Sequence, residues 1–418
     1  MLAPSPVLIL PFVLLLGAMA LGPVLAPTWW RKQYPKVALG LGAITVGAYC
    51  FWLHDLVSLG QAAHEYVSFV ALVGSLYVVA GGIQIQVPAG ATPLANVMFL
   101  FVGAAAANVL GTTGAAMLLI RPWIQLNRNR IAAYHIAFFI FLVANVGGCL
   151  TPIGDPPLFL GFLQGVPFWW IAQQCWPMWA TGTGLLLAIF FAVDQIAWSR
   201  MPQQQPQRHV TFGNWRFDGL PNLWFLAIMV GAVFIHRPPF LREGLMLTAA
   251  AGSFFTTRKA IHAANGFNFH PVSEVAVLFA GIFATMIPAL AWLDHGAARW
   301  SDPHPAPGFF YWGTGGLSAL LDNAPTYLGF LSALFGVAGT REIGQLLDQQ
   351  PLQVVAISIG AVFFGAATYI GNGPNFMVKA IADQSSVPMP SFLEFILKFS
   401  LPFLLPVLVA VWLLFFRG

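Results

Sequence analysis

Charge is what this chain has least of. Only 8% of its 418 residues are Asp, Glu, Lys or Arg, against roughly 25% in an ordinary soluble domain. A water-soluble fold of this length needs far more charged surface, so that class is excluded. Cysteine is scarce too. Cys50, Cys149 and Cys175 lie in or beside apolar runs without CxxC spacing, which leaves them as small core residues. His54, His64, His135 and His270 fall at span ends and suit anchoring, and no HExxH or clustered spacing suggests zinc. P-loop, nucleophile-elbow and dinucleotide patterns are likewise missing. The formal net charge of +4 comes from basic residues scattered through short loops. They form no patch or arm for nucleic acid. No Lys or Arg precedes Arg31, so the first apolar run lacks a signal peptide's basic n-region and reads as a retained span.

What fills the chain instead is hydrophobic, 58% by count. With about 20 apolar residues to a span, helices are expected near 6–27, 37–57, 66–86, 134–163, 167–198, 221–237, 243–262, 274–294, 352–382 and 392–416. Trp29-Trp30 and Trp169-Trp170 suit the membrane interface. Two further apolar stretches, about 94–121 and 309–337, carry polar or Pro/Gly breaks at their middles. Each is either a broken span or a re-entrant hairpin, and loop charge chooses. If both are hairpins, Arg31, Lys32, Lys36, Arg121, Arg128, Arg130, Arg200, Arg208, Arg216, Arg258 and Lys259 share one face. Arg237, Arg242, Arg299, Arg341 and Arg417 occupy the other. The positive-inside rule then makes the first face cytoplasmic and the N-terminus external. The fold class expected is an all-α polytopic membrane protein of about ten spans plus two hairpins.

The segment Thr151-Pro152-Ile153-Gly154-Asp155-Pro156-Pro157-Leu158-Phe159 returns 217 residues later as Thr368-Tyr369-Ile370-Gly371-Asn372-Gly373-Pro374-Asn375-Phe376. Both copies interrupt apolar segments with Gly, Pro and a carboxylate or amide. Backbone groups freed inside a bilayer find no water. Paired breaks at matching places in two halves are a pointer to a transporter's binding site. The polar loop holding Gln203-Gln204-Gln205-Pro206-Gln207 divides the chain into 1–199, a linker at 200–220, and 221–418. Each half crosses an odd number of times plus one hairpin, so the second starts on the opposite face, as an inverted repeat.

Four segments are expected to meet near the midplane. The first hairpin brings Asn108, Thr112 and Thr113, the second Asp322, Asn323 and Thr326, and the broken helices Thr151, Asp155, Asn372 and Asn375. Aligning Asn108 with Asn323 takes an offset of 215, near the 217 between the helix breaks. Carboxylate, amide, hydroxyl and unwound carbonyl oxygens are hard ligands suited to an alkali cation. Sodium is expected at Asp155, Asp322 and Asn323, where a carboxylate can hold either the cation or a proton. The bland alternative is that these acids, amides and hydroxyls cap helix ends, but intramembrane acids are costly enough to favour function. Glu274 is a weaker candidate, as a proton relay. Lys379 either pairs with an acid near the site or snorkels to the interface.

At these residues the chain resembles the ion transporter superfamily, which includes NhaD-type sodium/proton antiporters, arsenite permeases, citrate carriers and divalent-anion/sodium symporters. The resemblance spans nearly the whole length. It is closest to bacterial sodium/proton antiporters, through Gly111-Thr112-Thr113-Gly114-Ala115, the Thr151–Phe159 break and Asp322-Asn323-Ala324-Pro325-Thr326. It implies two inverted repeats, a scaffold and a moving transport domain, elevator-like access and a homodimer. The symporters carry Ser-Asn-Thr at each hairpin tip, whereas this chain has Gly111-Thr112-Thr113 and Asp322 to Thr326. The expected activity is sodium (or lithium)/proton antiport across a bacterial inner membrane, without a cofactor and with the bilayer and transported ions as partners. An anion permease or sodium-coupled carboxylate carrier of the same fold is the alternative. An intramembrane enzyme would need a nucleophile–base pair or metal spacing that the sequence lacks.

Overall fold

A computed structural model describes residues 5–201, 215–235, 237–298 and 305–417. Arg208, Arg299 and the Gln203–Gln207 run fall outside these residues. The chain is 78% helical, and two three-residue strands are its only sheet among the described residues. It is an all-α polytopic membrane protein. Seven described helices are long and apolar enough to cross a bilayer, or eight if one pair bent by 100° is joined. A helix is the element that satisfies its own backbone, which lipid cannot do.

The first group of elements is α1 (Leu10–Leu25), α2 (Pro27–Ala48, extended by a π-helical turn over Tyr49–Leu53) and α3 (Leu56–Gly81). Pro27 starts α2 ten residues earlier than hydropathy suggested, because proline fits a first helical turn that has no use for its missing N–H. Helix α3 also begins ten residues early. Asp55 caps it by accepting from Ser58 N at 3.0 Å, a start that a hydropathy window does not see. Its expected last residues, Gln84–Gln86, instead form strand β1, paired antiparallel with β2 (Arg216–Asp218) at the end of the linker.

Helix α4 (Pro93–Leu126) is nominally continuous but contains Gly111 at φ 73°, ψ 153°. Only glycine adopts that backbone conformation readily. The chain folds back there. Asn96 and Asn127 exchange amide hydrogen bonds of 2.8 and 3.0 Å. A Cβ added to Gly103 would lie 3.2 Å from Leu119, two positions a straight helix would hold roughly 24 Å apart. The expected first hairpin is therefore present. The first broken helix follows as α5 (Ala133–Leu142) and α6 (Pro156–Leu163), separated by an unwound stretch with one 3-10 turn at Val146–Gly148. Helix α7 (Phe168–Ser199) closes the first half.

The second half opens with α8 (Asn222–Val233), α9 (Leu241–Thr256) and α10 (Lys259–Ala264). The span expected at 243–262 is thus two helices, divided where Thr257 turns extended. After α11 (His270–Ala297) come α12 (Pro307–Ser318) and α13 (Asn323–Ala338). These two fold together at the expected second hairpin, with Phe310 and Phe330 ring centroids 6.5 Å apart. Helix α14 (Ile343–Gln349) leads into the second broken helix, α15 (Pro351–Gly365) and α16 (Gly373–Gln384). Helices α17 (Phe392–Phe395) and α18 (Leu405–Phe415) flank a π-helical stretch, Ile396–Leu404, that contains Pro402. Helices α3 and α11 pack against each other and face the hairpins, α3 through α4 and α11 through α13, and α3 also meets α6 of the first broken helix.

Candidate functional site: a buried carboxylate where four breaks meet

Asp155 sits at the end of the first unwound stretch, immediately before α6, in extended backbone. It is buried, and both its oxygens accept hydrogen bonds from other segments. Oδ1 accepts from the Thr112 hydroxyl at 2.7 Å and from Asn372 Nδ2 at 2.9 Å. Oδ2 accepts from Asn323 Nδ2 at 2.6 Å. One donor comes from each hairpin and one from the second broken helix. The four segments thus converge on one side chain, as the sequence suggested. All three donors are neutral, so none of them balances a charge on the carboxylate.

Asn323 is fully buried, and its Oδ1 has no hydrogen-bond partner. An orphaned buried acceptor costs about 1–3 kcal/mol, and as a hard oxygen it is of the type that suits a cation or a proton donor. Asp322 is placed differently. Its Oδ1 caps α13 by accepting from Ala324 N at 3.0 Å, and its carbonyl accepts from Thr326 Oγ1 at 2.9 Å. It makes no hydrogen bond to Asp155. No group of three or more His, Cys, Asp or Glu side chains suited to a metal occurs among the described residues. Any ion at Asp155 must therefore be held largely by amide, hydroxyl and carbonyl oxygens.

Other expected site residues build the cradle. Asn108 donates to Gly147 O at 2.7 Å and accepts from Leu150 N at 2.8 Å, which ties the hairpin to the unwound stretch. Thr151 Oγ1 donates to Asn108 O at 2.5 Å and accepts from Gly154 N at 3.1 Å. Thr368 Oγ1 does the same, donating to Ala319 O at 2.7 Å and accepting from Gly371 N at 3.0 Å. These matched bonds set Asn108 against Ala319, an offset of 211 rather than the 215 that aligned the two asparagines. Thr112 and Asn323, which both donate to Asp155, then correspond. Asn375 commits Nδ2 to Gly365 O and Thr368 O, both at 2.8 Å, and accepts from Asn145 Nδ2 at 2.7 Å. Thr113 lines a cavity beside Asp155 but makes no bond to it. Glu274 lies 3.7 Å from His270 on its own helix, and Lys379 bonds Asp383 at 2.6 Å on α16. Neither contacts the site.

The two breaks also share a close backbone approach. A Cβ on Gly154 would lie 2.0 Å from Gly148 O, and one on Gly371 would lie 2.6 Å from Gly365 O. Gly154→Ala is therefore expected to lose much of the folded protein, since the obstruction is backbone and cannot swing aside. The overpacking cost should exceed the usual ~1–3 kcal/mol. Size-exclusion profiles in detergent test this, and a monodisperse, thermally unchanged variant would contradict it.

Several polar residues in the interior escaped the sequence reading. Asn145 spans the two breaks, accepting from Asn372 Nδ2 at 3.1 Å while donating to Asn375. Asp194, fully buried on α7, accepts from Arg130, from Tyr134 Oη at 2.7 Å and from Asn96 Nδ2 at 3.0 Å. It thereby joins both ends of the first hairpin to the start of α5. An acid inside the apolar run of α7 was a signal in plain view. Arg242, expected in a loop, is buried against Glu243 and Ser68 with its guanidinium over the Phe159 ring.

Helices of spanning length, folded-back hairpins and two unwound helices meeting at a buried carboxylate define a multi-pass membrane transporter. The chain matches the family described as "Putative citrate transport" over residues 3–416 and belongs to it. No curated protein matches the chain.

Proposed function

We propose that this protein is a secondary transporter that exchanges sodium (or lithium) for protons at Asp155. The carrying observation is a buried carboxylate bonded only to neutral donors. Such a group is costly to keep charged without a counter-ion. It is neutral when it holds a proton and paired when it holds a cation, and the two states exclude each other. Asn323 Oδ1 supplies an unpartnered oxygen for the cation. Asp322, at the neighbouring hairpin tip, adds negative charge close by, with Thr112 and Asn372 as further ligands. The matched Thr151 and Thr368 bonds support two structurally repeated halves. An inverted arrangement of these halves lets the same site open to either face. Elevator-like movement, a homodimer, an inner-membrane location and an external N-terminus complete the reading.

A second reading is favoured by the family match. In it the same cation site drives a carboxylate across the membrane. Proteoliposomes loaded with a pH-sensitive dye separate the two. Sodium-driven proton movement without any carboxylate supports exchange. Movement that appears only when citrate or a dicarboxylate is present supports the second reading.

Direct competition has a further consequence at equilibrium, because each ion must weaken the other by the same factor. Half-saturation by sodium should rise tenfold for each unit the pH falls below the carboxylate's titration. Sodium binding to purified protein at several pH values checks this. A plateau at low pH would mean that the proton acts from elsewhere, and the shared carboxylate would have to be abandoned.

A further inference from the structure

The two repeated segments end on a matched pair, Phe159 on α6 and Phe376 on α16, 217 residues apart. Their surroundings differ. Phe159 is 1% exposed and Phe376 is 51% exposed. Helix α6 is buried from Pro157 through Phe162. Helix α16 instead has one open face, on which Gly373, Phe376 and Asp383 are exposed and Ala380 is half-buried. Intervals of three and four residues put these positions on one side of a helix. A Cβ added to Gly373 would meet nothing within 4 Å. The opening therefore extends to Asn372, which donates to Asp155.

Phe159 is covered by the wall that α3 and α9 make. The Arg242 guanidinium lies over its ring, 5.9 Å from the centroid. That guanidinium is fixed in turn by Glu243 Oε1 at 2.7 Å and Ser68 Oγ at 2.9 Å. Three residues before Ser68 on α3, Glu65 Oε1 accepts from Gln164 Nε2 at the end of α6, at 2.9 Å. The turn that leads Arg242 inward is strained, because Phe240 just before α9 has φ 62°, where bulky side chains are rarely found. Phe159 also lines the cavity beside Asp155, so this clasp closes the site along α6. Helix α16 has no such cover. Whereas α3 packs against α6, α11 has no comparable packing on α16 among the described residues. The open face of α16 is thus the one whose counterpart in the first half meets protein rather than lipid.

We propose that Phe159 and Phe376 are alternating gates to one site, which in the state seen here is closed along α6 and open to water along α16 as far as Asn372. The inference rests on the reading of two inverted halves that open the site to either face. Two halves of like fold and opposite orientation can exchange arrangements. In the opposite state α16 docks on α11 and buries Phe376. Helix α6 then leaves α3, which breaks the Glu65–Gln164 hydrogen bond and uncovers Phe159. Burying one ring while exposing the other keeps the apolar area in water nearly constant, so that term favours neither state. The polar grips of Arg242 on Phe159 and of Glu65 on Gln164 then bias which state is populated.

The test uses full-length protein with Cys50, Cys149 and Cys175 replaced, held in nanodiscs. Gly373→Cys should react with a charged, lipid-insoluble methanethiosulfonate on the order of a hundredfold faster than Leu14→Cys on the outer surface of α1, because the reacting thiolate forms in water and not in lipid. Phe159→Cys should react as slowly as Leu14→Cys. Equal rates at Gly373 and Leu14 would put the open face of α16 in lipid and overturn the gates. Phe159→Cys reacting as fast as Gly373→Cys would overturn them too, since neither side would then be closed. In a second protein, reconstituted in proteoliposomes, Glu65→Cys is combined with Gln164→Cys. A short, reducible bis-methanethiosulfonate should couple the two thiols and slow transport about tenfold or more by blocking the conformational step, with dithiothreitol restoring it. Full transport by the coupled protein, or thiols that never couple, would overturn the clasp. Transport is read both as sodium-driven proton movement and as citrate uptake. If the uncoupled protein moves neither, the exchange reading fails, while the labelling pattern still decides the gates.

Discussion

Asp155→Asn is expected to reduce sodium-dependent proton flux by on the order of a hundredfold, equivalent to ~2.8 kcal/mol of lost coupling, in protein that still inserts and folds. The substitution keeps shape and removes the charge on which either ion depends. The surroundings can absorb it. Asp155 accepts from three donors, Thr112, Asn323 and Asn372. An asparagine offers one acceptor oxygen and one NH2 group to the same ring. The Thr112 hydroxyl can rotate to accept, and Asn323, whose Oδ1 is unpartnered, can turn its amide over. The residual cost is about one unsatisfied group, ~1–3 kcal/mol. Proton flux and thermal melting measured on the same preparation separate the two effects. Unchanged flux would remove Asp155 from the mechanism, and collapse of the fold would mean that its role is architectural.

The second large effect concerns stability rather than transport. Asp194 and Arg130 are both buried, with Tyr134 and Asn96 also bonded to the carboxylate. Removing one partner of a buried pair leaves the other charge uncompensated and costs about 3–5 kcal/mol. Asp194→Asn should therefore lower the melting temperature strongly. The double replacement Arg130→Met with Asp194→Leu should recover much of the loss, since apolar side chains of similar volume can replace such a pair. A double variant no more stable than the single one would show that the network holds the hairpin by its hydrogen bonds rather than its charge balance. Arg130 also lies over the Trp198 ring, 5.0 Å from its centroid, so part of the loss is packing.

The sequence by itself determined the class and the four segments, and it named two acids, Asp155 and Asp322, of which only Asp155 receives the converging hydrogen bonds. Scarce charge and long apolar runs leave no soluble alternative, and lipid tolerates an unwound backbone only where protein encloses it. Helix breaks marked by repeated Gly, Pro and Asp or Asn had to face the interior and meet similar breaks. That reasoning placed Asp155, Thr112, Asn323 and Asn372 together, and their hydrogen bonds agree. The hairpin around Gly111 was legible for the same reason, because loop charge separates only if the chain turns back.

Only the tertiary structure decided which of the polar residues face one another. Asn108 and Asn375 are the same residue types as Asn323 and Asn372, yet their side chains are consumed by backbone carbonyls and N–H groups of the unwound stretches. Composition cannot reveal this, since an amide serves an ion and a loose backbone equally well. The register of the hairpins was set likewise, by Thr151 and Thr368 seeking carbonyls, rather than by the likeness of two asparagines. The roles of Arg130 and Asn145 were invisible because their partners lie far away in sequence, and Arg242, paired with its neighbour Glu243, is buried because Ser68 and the Phe159 ring close over it. Whether a charge is buried depends on which distant side chain arrives to meet it, and only packing settles that.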